Sequence, residues 1–289
     1  VIMIRRYAVC FVIFSILLST FGCIHTNDLQ TREERTLTIV HMNDTHSHLE
    51  AAEQTLTIAG IPTKVYLGGF ARLKSALNTV RSKNPNVLVV HSGDMVQGTF
   101  YFIKYQGEVD SEFLNLLGID AACPGNHEFD KGPELLAGMI KRANFPIVSA
   151  NLDVSQEPAL AGKLFPYIIK KIGPHTIGII GVTTPEAAIV SHPGPNIVFR
   201  DIPSSVMQSV DMLRAQGVQT IILLSHLGYE EDIDLAKKLR GVTVIIGGHT
   251  HSLLGDRTNF GSLGLTPAGD YPTVVKDAEG KRVLVVQSW

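Results

Sequence analysis

The sequence contains few cysteines and little net charge. Three cysteines in 289 residues cannot build a disulfide framework, so the fold must be stabilised by a buried core. A formal net charge of −2 offers no basic face, which argues against a nucleic-acid polymer as a partner. A small anionic substrate stays compatible with this charge, because bound metal ions supply positive charge locally. With 45% hydrophobic residues, the chain is long enough for one large core.

The apolar run near the N-terminus is short. Arg5 and Arg6 precede an apolar run at 7–18, and small residues follow between 19 and 22. This order is typical of a secretory signal, and the run is shorter than the roughly 20 residues of a membrane span. We therefore predict a signal peptide at residues 1–22 and an exported protein, in the periplasm or at the cell surface.

Cys23 follows where a bacterial lipoprotein would carry its lipid-modified cysteine. The match is loose, because Phe21 fills a position that favours a small residue. A lipid anchor at Cys23, ordinary cleavage nearby and an uncleaved anchor therefore all stay open. Residues 23–35 are predicted to form a tether and 36–289 the folded domain. Because a predicted strand ends the sequence, we expect a truncated chain that lacks a further, C-terminal domain.

Short β-rich runs alternate with helical patterns from residue 36 onward. The predicted helices, each with an apolar stripe, are 70–83, 133–143, 204–216 and 230–239. The predicted strands are 37–42, 87–91, 147–150, 177–182, 220–225, 242–246 and 282–288. This alternation predicts a layered α/β domain. A predicted hairpin, formed by 167–172 and 176–182, indicates that the sheets are mixed.

Side chains that can bind metal ions follow five apolar stretches, where α/β sheets gather ligands at the carboxyl ends of strands. Carboxylates and imidazoles without thiolates favour zinc, manganese or iron at a catalytic site. Seven oxygen and nitrogen donors are too many for one tetrahedral ion. They suit two divalent ions that share a carboxylate, activate a water and hold a phosphoryl group. The five segments are Asp44-Thr45-His46, Gly93-Asp94, Gly125-Asn126-His127-Glu128, His226 and Gly248-His249-Thr250-His251.

The ordered motifs D-x-H, GD, GNHE, H and GHxH resemble the calcineurin-like metallophosphoesterase superfamily. Longer motifs lie at 41–46, 92–94, 124–130, 225–228 and 247–251. These motifs resemble the 5′-nucleotidase family, which includes bacterial UDP-sugar hydrolases and animal ecto-5′-nucleotidases. The resemblance covers residues 37–289. It implies a four-layer α/β/β/α sandwich of two mixed sheets. It also implies hydrolysis of nucleotide phosphate esters by a metal-activated water, without a covalent enzyme intermediate.

The resemblance assigns a role to each residue of the motifs. His127 would be the catalytic histidine at the substrate phosphate, oriented by Asp130, and Asn126 could contact the phosphate as well as a metal. Glu128 would form supporting hydrogen bonds. The two divalent ions, zinc, manganese or similar, would be held by Asp44, His46 and His251 on one side, by Asn126, His226 and His249 on the other, and by Asp94 as the bridge.

Three alternatives stay open. Cyclic-nucleotide 2′,3′-phosphodiesterases and thiosulfohydrolases use similar motifs, and the chain could instead be an idle surface lipoprotein that only binds nucleotides or a partner. The intact pair of His127 and Asp130 argues against an idle protein, because a pure binder has no need of both. In the resembled family a C-terminal domain holds the base and sugar, so the exact substrate would be chosen outside these residues. Cys123 is predicted to be a buried strand residue.

Overall fold

The computed structural model of the protein describes residues 36–289. The predicted signal peptide, the lipid site at Cys23 and the tether lie outside the described residues. Among the described residues, no helix is both long enough and apolar enough to cross a membrane.

The described chain alternates strands and helices, as its sequence pattern predicts. The strands are β1 Thr38–Met42, β2 Ala52–Ile58, β3 Ile61–Leu67, β4 Val87–Ser92, β5 Ala121–Cys123, β6 Leu152–Asp153, β7 Tyr167–Ile172, β8 His175–Thr183, β9 Val198–Phe199, β10 Thr220–His226, β11 Val244–Gly247, β12 Thr273–Lys276 and β13 Arg282–Gln287. The helices are α1 Phe70–Lys83, α2 Phe100–Tyr105, α3 Glu108–Leu117, α4 Pro133–Arg142, α5 Ala187–Val190, α6 Ile202–Ala215, α7 Tyr229–Lys238 and α8 Arg257–Gly261, with a 3₁₀ turn at His127–Phe129.

Two main sheets face each other. The smaller has the order β1-β4-β5 and is parallel throughout. The larger has the order β12-β13-β11-β10-β8-β7 and is mixed, because its outer strands β12 and β7 run antiparallel to their neighbours. The predicted hairpin of β7 and β8 is confirmed. Two small two-stranded sheets, β2-β3 and β6-β9, complete the described strands.

Three hydrophobic clusters separate four layers. On β4, Val89 packs in the cluster that contains residues of α1, α3 and α4, whereas Leu88 and Val90 pack in the cluster between the sheets. On β10, Ile222 belongs to the inter-sheet cluster and Leu223 to the one beneath α6 and α7. Side chains of a strand alternate between the faces of its sheet, so each sheet is buried on both sides. The predicted α/β/β/α sandwich is confirmed, whereas the prediction that both sheets are mixed is wrong for the smaller sheet, whose three described strands are parallel.

The segment 147–150 is not a strand, and the prediction of one there is wrong. Ile147 makes an isolated bridge with Ala122 of the smaller sheet. Three residues later, the backbone N–H of Ala150 donates to Gly181 O of the larger sheet at 2.7 Å. The segment therefore passes from one sheet to the other. It is buried and apolar like a strand, but it pairs with neither sheet over a continuous length.

Candidate active site

All nine predicted site residues lie at one edge of the sandwich. Asp44 and His46 follow β1, Asp94 follows β4, and His127 begins the turn after β5. From the larger sheet, His226 ends β10, and two further histidines follow β11. Within each sheet these are adjacent parallel strands, so their carboxyl ends meet at the same edge.

The two sheets are joined at this edge by close polar contacts. Ser92 Oγ at the end of β4 donates to Ile246 O of β11 at 2.8 Å, and His226 Nδ1 donates to Ser92 O at 2.7 Å. A Cβ atom on Gly248 would lie 2.6 Å from the same Ser92 oxygen, so only glycine allows this approach. The loops that carry ligands from both sheets are therefore fixed against each other.

Asp94 lies at the centre of the cluster and is 2% exposed. Its Oδ2 atom is 3.1 Å from His226 Nε2, 3.9 Å from His127 Nε2 and 4.0 Å from His46 Nε2. The ligand atoms of three groups lie within 4.8 Å of one another in each group: Asp44, His46 and His251; Asp94, His226 and His249; and His46, Asp94 and His127. The first contains the three residues predicted for one ion, and the second contains two of those predicted for the other ion together with Asp94, the predicted bridge. The third leaves open whether His127 is a ligand or the catalytic histidine, a question for variants.

Five of these residues have an unusual backbone conformation. Positive φ angles occur at Asp44 (51°), His46 (45°), Asp94 (53°), His249 (77°) and His251 (47°). Non-glycine residues rarely adopt this region, and each instance costs on the order of 1–3 kcal/mol. Such strain persists where the surrounding structure enforces it, and it gathers at functional sites. Here the turns direct the side chains of both sheets towards one point.

The orientation of two imidazole rings is set by backbone carbonyls. His46 Nδ1 donates to Val96 O at 3.2 Å, as His226 Nδ1 does to Ser92 O. In each neutral ring the proton then resides on Nδ1, and Nε2 presents its lone pair to the centre of the site. A metal-ligating histidine characteristically donates its other ring N–H in this way.

The unpaired atoms of the site fit divalent metal ions. Among the described residues, Asn126 Oδ1 is buried and has no hydrogen-bond partner, and the buried His226 Nε2 lies 3.1 Å from the Asp94 carboxylate. His46 Nε2 lies 3.0 Å from His251 Nε2, so two ring nitrogens share one point. Buried polar atoms without partners are costly, and a cation bound between them would satisfy these lone pairs. The carboxylate and imidazole donors suit zinc or manganese.

The electrostatics of the cluster favour positive charge. Burial alone would lower the pKa of His226, but Asp94 and Asp44 outweigh burial and raise this pKa to about 9. Burial opposes ionisation of Asp94 as well, yet His226 and His127 hold its pKa below the ordinary value. The carboxylates therefore stay ionised inside the protein, and a divalent ion could replace the proton that they draw to His226.

His127 differs from His46 and His226, because its ring is held by a carboxylate. Its Nδ1 lies 2.7 Å from Asp130 Oδ2, and Ser191 Oγ donates to the other oxygen of Asp130 at 3.0 Å. The Nε2 atom faces a cavity of about 340 Å³ that Asn126 and His249 also line. A ring held by a carboxylate on one side and open to a cavity on the other can position or transfer a proton.

Glu128 ties two ligand loops together, in line with its predicted supporting role. This carboxylate is fully buried and accepts the backbone N–H groups of Asp94 at 3.0 Å, Met95 at 2.8 Å and Gly125 at 2.6 Å. Burial and the Asp94 charge raise the pKa of Glu128 to about 7. A Cβ atom on Gly125 would lie 2.6 Å from His226 Nε2, so the loop after β5 can approach only with glycine there.

Some supporting residues were not predicted from the sequence. Asn43 donates to Asp44 Oδ2 at 2.6 Å and accepts the Ser288 N–H at 2.8 Å, which ties the first ligand loop to the end of β13. Asn43 lies inside the motif at 41–46, beside Asp44, so the sequence does contain a signal for its supporting role. Glu186 lies 3.1 Å from His249 Nε2. No sequence motif connects Glu186 or Ser191 to the site, so only the fold reveals them.

A layered α/β fold with carboxylates and imidazoles gathered at its strand ends is typical of metal-dependent phosphoesterases. The family model described as calcineurin-like phosphoesterase matches residues 37–253. The chain belongs to this family.

Similar proteins indicate which members of the family this chain resembles. The chain is 40% identical to a 5′-nucleotidase of Rattus norvegicus, in a match that covers 88% of this chain and 44% of that protein. The crystal structure of a 5′-nucleotidase precursor from Thermus thermophilus matches with a TM-score of 0.83 and 49% identity, covering 88% of this chain and 48% of that one. The structure of a Haemophilus influenzae NAD nucleotidase matches with a TM-score of 0.83 and 36% identity, covering 88% and 45%. The chain spans about half the length of these relatives, and the predicted likeness to 5′-nucleotidases is confirmed.

The three hydrogen bonds to Glu128 lead to a stability prediction. Glu128→Ala leaves three backbone N–H groups without their acceptor, and each buried unsatisfied group costs about 1–3 kcal/mol. We expect the free energy of unfolding to fall by about 3 kcal/mol or more. Urea denaturation measures it, with Glu134→Ala on the exposed side of α4 as the control, for which we expect a change within about 1 kcal/mol. Equal, small losses in both variants would contradict the structural role of Glu128.

Proposed function

We propose that this chain is the catalytic part of a 5′-nucleotidase-type enzyme that hydrolyses phosphate esters of nucleotides with two divalent metal ions. The observation that carries the proposal is the cluster around Asp94, where two groups of potential ligands flank one buried carboxylate. Beside this cluster, a histidine held by its own carboxylate faces a cavity. A binding protein would need neither the buried charge nor the second, separately held histidine.

The ligand roles follow the two groups. Asp44, His46 and His251 would hold one ion, and Asp94 would be a ligand shared by both. Asn126, His226 and His249 would hold the other ion; the buried, unpaired Asn126 Oδ1 supports its place in this set. Bound zinc or manganese would act as a Lewis acid that lowers the pKa of a water and neutralises the phosphate.

The catalytic step assigned to the protein's own side chains is the handling of the leaving oxygen. With both ring nitrogens protonated, His127 donates its Nδ1–H to Asp130, which fixes the ring so that Nε2–H faces the phosphate. His127 donates Nε2–H to a phosphate oxygen in the transition state, or passes that proton to the leaving oxygen and becomes neutral. Asn126 contributes its amide as a donor to the phosphate. No side chain is needed as a nucleophile; the pKa of the buried Cys123 thiol is raised well above its usual range by burial.

The proposed substrate class is based on the names of relatives that are about twice as long as this chain. Two of the similar proteins are a 5′-nucleotidase and a NAD nucleotidase, both named for nucleotide substrates. We propose a nucleotide monoester as the substrate, with a dinucleotide diphosphate as the next choice. The 2′,3′-cyclic nucleotides and thiosulfate esters stay as alternatives. A panel of 5′-AMP, NAD, 2′,3′-cyclic AMP and a thiosulfonate, assayed at equal concentration, separates them.

We further propose that the protein is exported. Support comes from the charged, apolar and small-residue order of residues 1–22. Expression in a bacterial host with pulse labelling should give a shortened product outside the cytoplasm, because signal peptidase removes that segment. Palmitate label that depends on Cys23 would identify a lipid anchor, and a full-length cytoplasmic product would contradict export.

Metal removal is the first test of the reaction. Protein stripped by a chelator should lose hydrolysis of p-nitrophenyl phosphate and regain it with manganese, zinc or cobalt, because without the ions the charges of Asp44 and Asp94 repel the phosphate. The assay follows nitrophenolate release, with calcium as a control ion that prefers oxygen ligands. Full activity in excess chelator would contradict the metal-dependent reaction.

Variants separate metal ligands from the catalytic histidine. His127→Ala should retain both ions and lose roughly 10²–10⁴-fold in kcat, the usual range for an acid–base group. Asp94→Ala should lose metal and activity together, because it removes the shared ligand. Asp130→Asn should be milder than His127→Ala, because the imidazole remains. Metal content by mass spectrometry and kinetics on an activated phosphate ester are measured on the same samples.

Two results would overturn these roles. Loss of an ion from His127→Ala would make His127 a ligand, consistent with the group that it forms with His46 and Asp94. Unchanged kcat in His127→Ala would leave no proton-transfer role to the side chains of this site.

A further inference from the structure

The segment 184–191 follows β8 and borders the site without contributing a predicted ligand. Two of its side chains contact residues of the site, one a histidine and the other a carboxylate. Glu186 Oε2 lies 3.1 Å from His249 Nε2, and Ser191 Oγ donates to Asp130, the partner of His127. One short segment therefore contacts both the proposed metal ligands and the proposed catalytic pair.

The segment is anchored at both ends. Thr184 is 3% exposed and its Oγ1 accepts the N–H of Glu186 at 3.3 Å. Ala187 is fully buried in the cluster beneath the smaller sheet. At the other end, the N–H of His192 donates to Phe129 O at 3.1 Å, next to Asp130. Glu186 and Ser191 thus project from a backbone that the core holds in place.

The partner of His249 differs from those of the other candidate ligands. His46 and His226 donate Nδ1–H to backbone carbonyls and turn Nε2 towards the other candidate ligands. In His249 the Nε2 atom faces a carboxylate, so the neutral ring carries its proton on Nε2 and has its lone pair on Nδ1. Glu186 is 65% exposed, and an exposed contact of this kind adds little to the free energy of folding. Its effect falls on the tautomer and orientation of His249.

We propose that residues 184–191 form a positioning segment that sets the two halves of the site separately: Glu186 orients His249 for its metal ion, and Ser191 holds Asp130 so that His127 keeps its place. Both are positioning residues, since they act through His249 and Asp130. The inference rests on the proposed two-metal function and adds residues that no motif of the site contains.

The role proposed for Glu186 is tested by measuring metal affinity rather than activity. Isothermal titration of chelator-stripped protein with manganese should give two binding events in the wild type. Glu186→Ala should weaken one of them by roughly 10–100-fold, the usual effect of losing the outer partner of a ligating histidine, and Glu186→Gln should weaken it less, because an acceptor oxygen remains. Glu230→Ala, which removes the same charge from an exposed position of α7, should match the wild type.

Unchanged affinities in Glu186→Ala would overturn this half of the proposal. Equal weakening in Glu186→Ala and Glu230→Ala would overturn it too, because general electrostatic attraction would then explain the effect. A wild-type protein that binds no manganese, zinc or cobalt would instead contradict the proposed function itself, so the two failures are distinguishable.

For Ser191 we expect the opposite result, in which activity changes and metal affinity does not. Ser191→Ala should keep both affinities for manganese and leave KM unchanged, while kcat falls by roughly 10-fold, because Asp130 loses one of its two hydrogen bonds. The ring N–H signal of His127, followed by NMR on histidine-labelled protein, should shift in Ser191→Ala. It should not shift in Ser209→Ala, which removes a buried hydroxyl from α6. An unmoved signal with wild-type kcat would overturn this half.

Discussion

Two carboxylates, Asp44 and Asp94, are buried with their charge at the meeting point of two sheets. Their side chains are only 4% and 3% exposed, so the protein bears a desolvation cost that water cannot offset. Histidines from both sheets surround them, and the pKa of His226 is raised to about 9 in response. A fold that keeps negative charge in such a place needs a compensating cation. The two-ion site that we propose supplies it.

The fold brings strand ends of both sheets to the place where these charges are buried. Parallel strands in each sheet bring their carboxyl ends to one edge, and Ser92 joins the sheets where Asp94 leaves β4. The strained turns at the ligands persist because buried layers on both sides of each sheet fix the strand ends. Around the ligands lies a ring of supporting contacts, of which Glu128 is the most buried and Glu186 the most exposed. Precise ion placement requires ligands whose orientation is fixed by such supporting contacts.

The sequence predicts those parts of the fold that carry periodic apolar patterns. Helix α1 has the predicted bounds 70–83, because Leu73, Leu77 and Val80 repeat at helical spacing. The hairpin of β2 and β3 was not predicted, since its strands are largely exposed on both faces and lack an alternating pattern. The sequence of segment 147–150 predicts a strand, because a buried strand and a buried crossing between sheets have similar apolar patterns. The ligands were placed by their motifs, whereas the contact of Glu186 with His249 depends on two loops packing together and leaves no local signal.

The central claim is that Asp94 is shared by two ions. The direct measurement is a crystal structure of manganese-loaded protein with anomalous scattering recorded at the manganese edge. The account predicts two anomalous peaks roughly 3.5–4 Å apart, one on each side of the Asp94 carboxylate. His127 should lie outside ligand distance of both. A single peak, or two peaks of which only one is bound by Asp94, would contradict the account.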